Sequence, residues 1–128
     1  MENESSLINY HVEPVLIGGG FRPASFSETF QAYNPATGEK LAPLYPVSSW
    51  QDLELALKES HQLVPELAST SPDKRARFLS LYADLLEKRR LEIISRAYLE
   101  TALPADARLN QSEFPRLISQ LRQAAAAC

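Results

Sequence analysis

Hydrophobic and polar residues follow one rhythm at the start of the chain and another after it. The first part suits extended segments broken by turns, and the rest has a helical period. Val15-Leu16-Ile17 is a short apolar run followed by Gly18-Gly19-Gly20 and Phe21-Arg22. Glycines between two such runs predict a tight two-residue hairpin turn. From Phe30 to Pro46 a second hairpin is predicted, with Phe30, Ala32 and Asn34 on one face and Gln31 and Tyr33 on the other. Its turn chemistry is local. The Asn34 side chain can fold onto nearby backbone N–H groups, Pro35 pre-sets φ, and Gly38 supplies a positive φ. The returning strand, from about Glu39, carries Pro43 and Pro46, which puts it at a sheet edge. Residues 23–29 read as a connector. Residues 1–14 read as a flexible arm, ahead of one incomplete domain over 15–128.

Downstream the apolar spacing becomes helical. Ser48 or Ser49 is expected to cap a first helix, with Gln51 or Asp52 at the capping-box position. Leu53, Ala56, Leu57, Ser60 and Val64 share one face of it, and Pro65 is expected to stop it. Ser71 as N-cap, Pro72 in the first position and Asp73 in the first turn announce a second helix. Its apolar stripe is Phe78, Leu81, Tyr82, Leu85 and Leu86. Leu91, Ile94, Ala97 and Tyr98 carry a third helix, continuous with the second or separate from it, which Pro104 ends. A fourth runs from near Pro115 to Ala127, with Leu117, Ile118 and Leu121 apolar. Ala124 to Ala127 are strong helix formers without a stop signal, so the sequence reads as cut in mid-helix.

Composition changes this picture little. With 128 residues, 45% hydrophobic and 23% charged, the chain has the make-up of one modest globular domain. A net charge of −3 argues against a nucleic-acid binder. The basic clusters Lys74-Arg75-Ala76-Arg77 and Lys88-Arg89-Arg90 lie close to acids and read as solvated helix faces. No apolar run approaches the ~20 residues that span a bilayer. The acidic start, Met1-Glu2-Asn3-Glu4, is the opposite of a signal-peptide opening. The single cysteine, Cys128, allows no intrachain disulfide. A cytoplasmic protein is the expectation.

The residues themselves offer little chemistry. The glycine run lacks the following helix and the spacing of a phosphate-cradling loop. His11, His61 and Cys128 have no metal-ligand spacing. Cys128 has no histidine near it in sequence to activate a thiolate. Glu87, Glu92, Glu100 and Glu113 form no obvious acid–base couple.

Order and spacing carry more. Ile17-Gly-Gly-Gly-Phe-Arg22, Asn34-Pro-Ala-Thr-Gly-Glu39 and Ser71-Pro-Asp-Lys-Arg75, with Phe78-Leu79 and Leu85-Leu86-Glu87, follow one another over most of the chain. This sequence resembles the N-terminal part of an aldehyde dehydrogenase. Within that superfamily it is most similar to the NADP-preferring fatty aldehyde and α-ketoglutarate semialdehyde dehydrogenases. The resemblance implies an α+β fragment, mainly α: short antiparallel hairpins followed by three to four amphipathic helices, the front of a Rossmann-like coenzyme-binding domain. It also implies that the nicotinamide-binding turn, the nucleophilic cysteine and the general-base glutamate lie downstream. No catalytic, coenzyme-binding or metal residue is then expected here, and the isolated chain is expected to be inactive. NAD or NADP, an aldehyde substrate, the remainder of the enzyme and other subunits of a homo-oligomer are the implied cofactor and partners.

Two positions draw a sharper expectation from the resemblance. Glu113-x-x-Arg116-x-x-x-Gln120-Leu121-Arg122 matches a subfamily pattern on a helix that borders the substrate tunnel, while Leu117-Ile118-Ser119 departs from it. Arg116 and Gln120 are four apart and share a face, so the guanidinium could grip a substrate carboxylate with two hydrogen bonds. The competing reading of Arg116 is an ordinary surface arginine. Similar enzymes also place an acid near Glu100, sometimes beside a monovalent cation, but continue with glycine where this chain has Ala102. A free-standing helical interaction module or a truncated non-catalytic relic is the alternative to the enzyme fragment; the module accounts for the helices but less well for the hairpin motifs.

Overall fold

The computed structural model describes residues 11–128. They form two compact units, one of the residues up to Ala32 together with Lys40–Leu63, the other of Tyr33–Glu39 and Val64–Cys128. The architecture is α+β and mainly helical, with short antiparallel strand pairs. No helix among the described residues is long and apolar enough to cross a membrane.

In the first unit β1 (Val15–Ile17) pairs antiparallel with β2 (Gly20–Arg22). Gly18 and Gly19 make the two-residue turn, with φ of 64° and 80°. Two successive positive φ values match the right-handed twist of a hairpin, which is why glycine stands at both. Of the arm expected over 1–14, residues 1–10 lie outside the described residues. The Glu13 amide donates to the Leu44 carbonyl at 2.9 Å, and the Leu44 amide to the His11 carbonyl at 3.1 Å.

The second sheet differs from the expectation. β3 covers Phe26–Phe30 and β4 covers Tyr45–Ser48, so the segment read as a connector is mostly strand. The strands begin and end outside the turn region, because Phe26-Ser-Glu-Thr-Phe30 offers a fully extended partner and residues 35–38 are committed to the turn. The Phe30 and Tyr45 rings stack at 5.5 Å. In a two-stranded sheet every strand is an edge, so Pro46 sits inside β4 opposite Thr29 without leaving a central ladder broken.

The turn itself forms as its residues dictate. The Asn34 Oδ1 accepts from the Ala36 amide at 2.9 Å. The Gly38 amide donates to the Asn34 carbonyl at 2.7 Å, and Gly38 has a φ of 72°.

Helix α1 (Trp50–Gln62) is capped by Ser49, whose hydroxyl accepts from the Asp52 amide at 3.2 Å. Asp52 stands at the capping-box position but does not reach back to Ser49. Its carboxylate, 8% exposed, accepts from the Ser25 amide at 2.7 Å, while the Ser49 amide donates to the Ser25 carbonyl at 2.8 Å. The acid thus joins the start of α1 to the loop before β3. Leu53 and Leu57 on the expected apolar face are exposed.

Pro65 does not stop α1, which ends at Gln62. Pro65 stands in the first turn of a separate short helix, α2 (Val64–Ser69), where its missing N–H leaves no bond unmade. Helix α3 (Pro72–Lys88) starts on the Ser71 cap as expected, its hydroxyl accepting from the Lys74 amide at 3.4 Å. Arg89, with φ −100° and ψ 13°, separates α3 from α4 (Arg90–Thr101). Next comes a nine-residue π-helical segment, Ala105–Glu113, which the apolar period did not announce. Helix α5 (Phe114–Ala126) has Pro115 in its first turn.

The core belongs to the helical unit: Ala83, Ile94, Leu109, Phe114 and Ile118 are buried against one another. This corrects the stripe expected on α3. Phe78, Leu81, Tyr82 and Leu85 are exposed, Phe78 to 67%, and Leu86 alone of the five is partly covered. The face that packs carries Ala76, Leu79, Ser80 and Ala83, and Ala83 is 0% exposed. At 3.6 residues per turn the two faces are roughly opposite. Because α3 carries apolar or small side chains on both, its periodicity could not say which face α5 would take. Ala83 packs in the core with Phe114 and Ile118 of α5. Arg122 Nη2 donates to Asp84 Oδ1 at 2.9 Å across that contact. On α4, Leu91 is exposed rather than apolar core, and Ile94 with Ile93 and Ala97 faces inward.

Candidate functional site

The helical unit holds a groove of about 370 Å³ between α4, the π-helical segment and α5. Its floor is apolar, made by Ile93, Ile94 and Ala97 from α4, Leu109 from the π segment, and Phe114 and Leu117 from α5. Polar groups stand on its rim: Glu113, Arg116 and Gln120. The two residues expected to face a substrate, Arg116 and Gln120, therefore lie one turn apart on the wall of the same groove.

Their electrostatic setting is uneven. Glu113 is three residues before Arg116 and could have neutralised it. Instead its carboxylate pairs with Arg108, Nη2 to Oε1 at 2.6 Å. The Arg116 side chain has no ion pair or hydrogen bond among the described residues. A guanidinium without a partner beside an apolar trough can bind an amphiphile, with the carboxylate on the arginine and the hydrocarbon along the floor. Glu113 is the one carboxylate on the wall and is already engaged, and the groove has no cysteine, histidine or lysine. The lining can thus hold and orient a ligand but offers no nucleophile for covalent chemistry.

Other candidates fall elsewhere. Cys128 is exposed beyond α5, its thiol 3.4 Å from the Ala124 carbonyl, and does not line the groove. Glu100 is occupied by its own helix, taking a hydrogen bond from Arg96 Nε at 2.5 Å. No cluster of three or more His, Cys, Asp or Glu suited to a metal occurs among the described residues. Ala102, which follows α4, has φ 54° and ψ 14°. The left-handed conformation that glycine adopts freely is here taken by alanine. The common dinucleotide fingerprint is a glycine turn leading from a strand into a helix. Gly18 and Gly19 instead join two antiparallel strands, so this turn is not of that kind.

The expectation that Arg90, with Lys88 and Arg89, belongs to a solvated face is corrected by the structure. Its Nε donates to Asn110 Oδ1 at 2.8 Å and its Nη2 to the Asn110 carbonyl at 2.7 Å. Its guanidinium also lies 5.0 Å over the Phe114 ring and 3.5 Å from Glu87 Oε2. Asp106 takes hydrogen bonds from Asn110 Nδ2 at 3.0 Å and Gln111 Nε2 at 2.8 Å. Acid and amide at spacings of four and five were the one signal in the sequence for this segment.

With this geometry in view, the comparisons give the class. The profile of the aldehyde dehydrogenase family matches residues 21–128. The chain belongs to the aldehyde dehydrogenase family. It is similar to DhaS of Bacillus subtilis (strain 168), a protein assigned as an aldehyde dehydrogenase, at 32% identity over 114 residues, 88% of this chain and 23% of that protein. Its fold is similar to that of an aldehyde dehydrogenase from Bartonella henselae, with a TM-score of 0.82 at 21% identity over 92% of this chain and 24% of the other. An NAD-dependent benzaldehyde dehydrogenase from Corynebacterium glutamicum gives 0.81 at 22% identity over 90% of this chain and 24% of the other. At these identities the two structures speak for the fold alone. The chain spans about a quarter of the length of the relatives it matches.

Proposed function

We propose that this chain is the front segment of an NAD(P)-dependent aldehyde dehydrogenase, and that its groove forms one wall of the path by which an acidic aldehyde enters. The observation that carries the reading is the unpaired Arg116 beside Gln120 on the rim of an apolar groove. In the complete enzyme, Arg116 grips the remote carboxylate of a semialdehyde acid while the hydrocarbon lies along Ile93, Leu109 and Leu117. Oxidation then takes place on residues that the rest of the polypeptide supplies, and the segment alone is inactive. The narrower likeness to NADP-preferring fatty aldehyde and α-ketoglutarate semialdehyde dehydrogenases is supported only by the Glu113-to-Arg122 pattern. The enzyme is a cytoplasmic homo-oligomer in this reading.

The test is Arg116→Ala in the complete enzyme. Loss of a charge-assisted hydrogen-bonded contact of roughly 1.5–3 kcal/mol raises the KM for an acidic aldehyde more than tenfold and leaves that for an uncharged aldehyde of equal length nearly as it was. An unchanged KM for the acidic aldehyde removes the proposal.

A further inference from the structure

The π-helical segment Ala105–Glu113 is unusual in its length, since π geometry mostly occurs as single turns. Something must prefer it to the α-helix that joins it at Phe114. The carbonyl of Asn110 shows what. In an α-helix that carbonyl accepts from the amide four residues on, Phe114. Here the Phe114 amide donates to the Leu109 carbonyl, five residues back. In the π register the Asn110 carbonyl should then accept from residue 115, but residue 115 is proline and has no N–H. Neither helical donor reaches it. Arg90 Nη2 fills the place at 2.7 Å, its Nε holds the Asn110 side chain at 2.8 Å, and the same guanidinium covers the Phe114 ring.

From this we infer that Arg90 is the register lock of the π segment, and through it a positioning residue for the groove. Satisfying the Asn110 carbonyl from outside frees the Phe114 amide for Leu109. Without the guanidinium, that carbonyl gains a backbone donor by taking the Phe114 amide back, which converts this turn to α geometry and passes the donor missing at Pro115 on to the Gln111 carbonyl. The π register then saves no hydrogen bond, and the commoner α geometry takes over. The conversion rotates Leu109 and Glu113 relative to α5, and both line the groove. Arg90 touches no ligand in this account; it sets the shape of the wall that does. The link to substrate selection rests on the proposed function above, whereas the register itself does not.

Hydrogen-bond scalar couplings in the 128-residue chain read the register directly. With Arg90 present, the Phe114 nitrogen couples to the Leu109 carbonyl carbon. In Arg90→Met that coupling is lost and one to the Asn110 carbonyl carbon replaces it. Arg90→Lys, which retains a donor, keeps the original coupling in part. In the double variant Arg90→Met/Pro115→Ala, the amide restored at position 115 serves Gln111 in the α register, and the coupling of Phe114 to Asn110 persists. A Phe114–Leu109 coupling that survives in Arg90→Met overturns the inference. Should Arg90→Met fail to fold, the double variant decides: a folded chain with the Phe114–Asn110 coupling supports the lock, and one that keeps the Phe114–Leu109 coupling, or stays unfolded, overturns it. In the complete enzyme, the same single variant raises the KM for an acidic aldehyde several-fold with kcat held. A register change without that KM change would count against the groove as a substrate path and leave the lock standing.

Discussion

The two units of this chain are held by different physics. The helical unit has an apolar core of Ala83, Ile94, Leu109, Phe114 and Ile118. Among the described residues of the strand-bearing unit, the only buried one is a carboxylate, Asp52. That unit holds its shape with ladder bonds, turns and one charge-assisted bond to the Ser25 amide. Dispersion and hydrophobic burial are non-directional and sum over many contacts, whereas a hydrogen bond is directional and few partners can replace it. The helical unit should therefore fail through volume and the strand-bearing unit through geometry.

The largest expected effect breaks the helical side. Phe114 is 4% exposed and supports both the core and the Arg90 guanidinium. Phe114→Ala is expected to cost roughly 3–5 kcal/mol, a large share of the stability of a small domain. Amide exchange in α3 and α5 should accelerate before that in β3 and β4. Equal acceleration in both would refute the division.

A smaller loss tests the other side. Asp52→Ala removes the acceptor of the Ser25 amide and leaves the bond between Ser49 and Ser25 alone to join α1 to the loop. A cost of about 1.5–3 kcal/mol is expected from a hydrogen bond to a charged group, read as a lowered midpoint in urea. Asp52→Asn keeps an acceptor oxygen and should lose less. If the two variants are equally damaging, shape rather than the bond is what Asp52 contributes.

A gain comes next in size. Ala102 is the one non-glycine residue with positive φ among those described. Placing a Cβ there costs about 1 kcal/mol, so Ala102→Gly should raise the melting temperature by a few degrees. A lowered melting temperature would mean that the alanine methyl makes a contact worth more than the strain.

The smallest effect involves neither core nor ladder. Arg89 donates to Glu92 from Nε at 2.9 Å and Nη2 at 2.5 Å. That hydrogen bonding first, and the charge of Arg89 second, hold the Glu92 carboxyl below the usual carboxylate range. With its folded pKa depressed, Glu92 contributes stability above its unfolded pKa and loses it as pH falls through the folded one. Both side chains are open to water, so screening keeps the contribution slight. A carbon-detected titration should show the Glu92 midpoint moving back toward an ordinary value in Arg89→Ala or at high ionic strength. A midpoint indifferent to both would assign the depression to something other than Arg89.

Legibility followed distance along the chain instead. The turn of Asn34, Pro35 and Gly38 and the Ser71-Pro72-Asp73 helix start were readable because each depends on groups within a few residues of one another. Arg116 and Gln120 could be paired because a helix places residues four apart on one face. β3 was not readable as a strand, since Phe26–Phe30 becomes one only by pairing with Tyr45–Ser48. Asp52 was placed at a capping position by its neighbours and drawn from that role by Ser25, far away in sequence. Arg90 looks solvated in the sequence because its partner, Asn110, lies in a segment whose single large apolar residue, Leu109, leaves no periodic trace.

By itself, then, the sequence determined what near neighbours decide: turns at glycines that need positive φ, helix starts at serines that can accept a backbone N–H, and the order of motifs that marks the family. Tertiary structure alone decided which side of α3 is inside. That helix carries apolar or small side chains on two opposite faces, and the small one went inside, with Ala83 buried against Phe114 and Ile118 of α5. It also decided the π register, where a proline without an N–H orphaned the Asn110 carbonyl and an arginine twenty residues earlier supplied the missing donor.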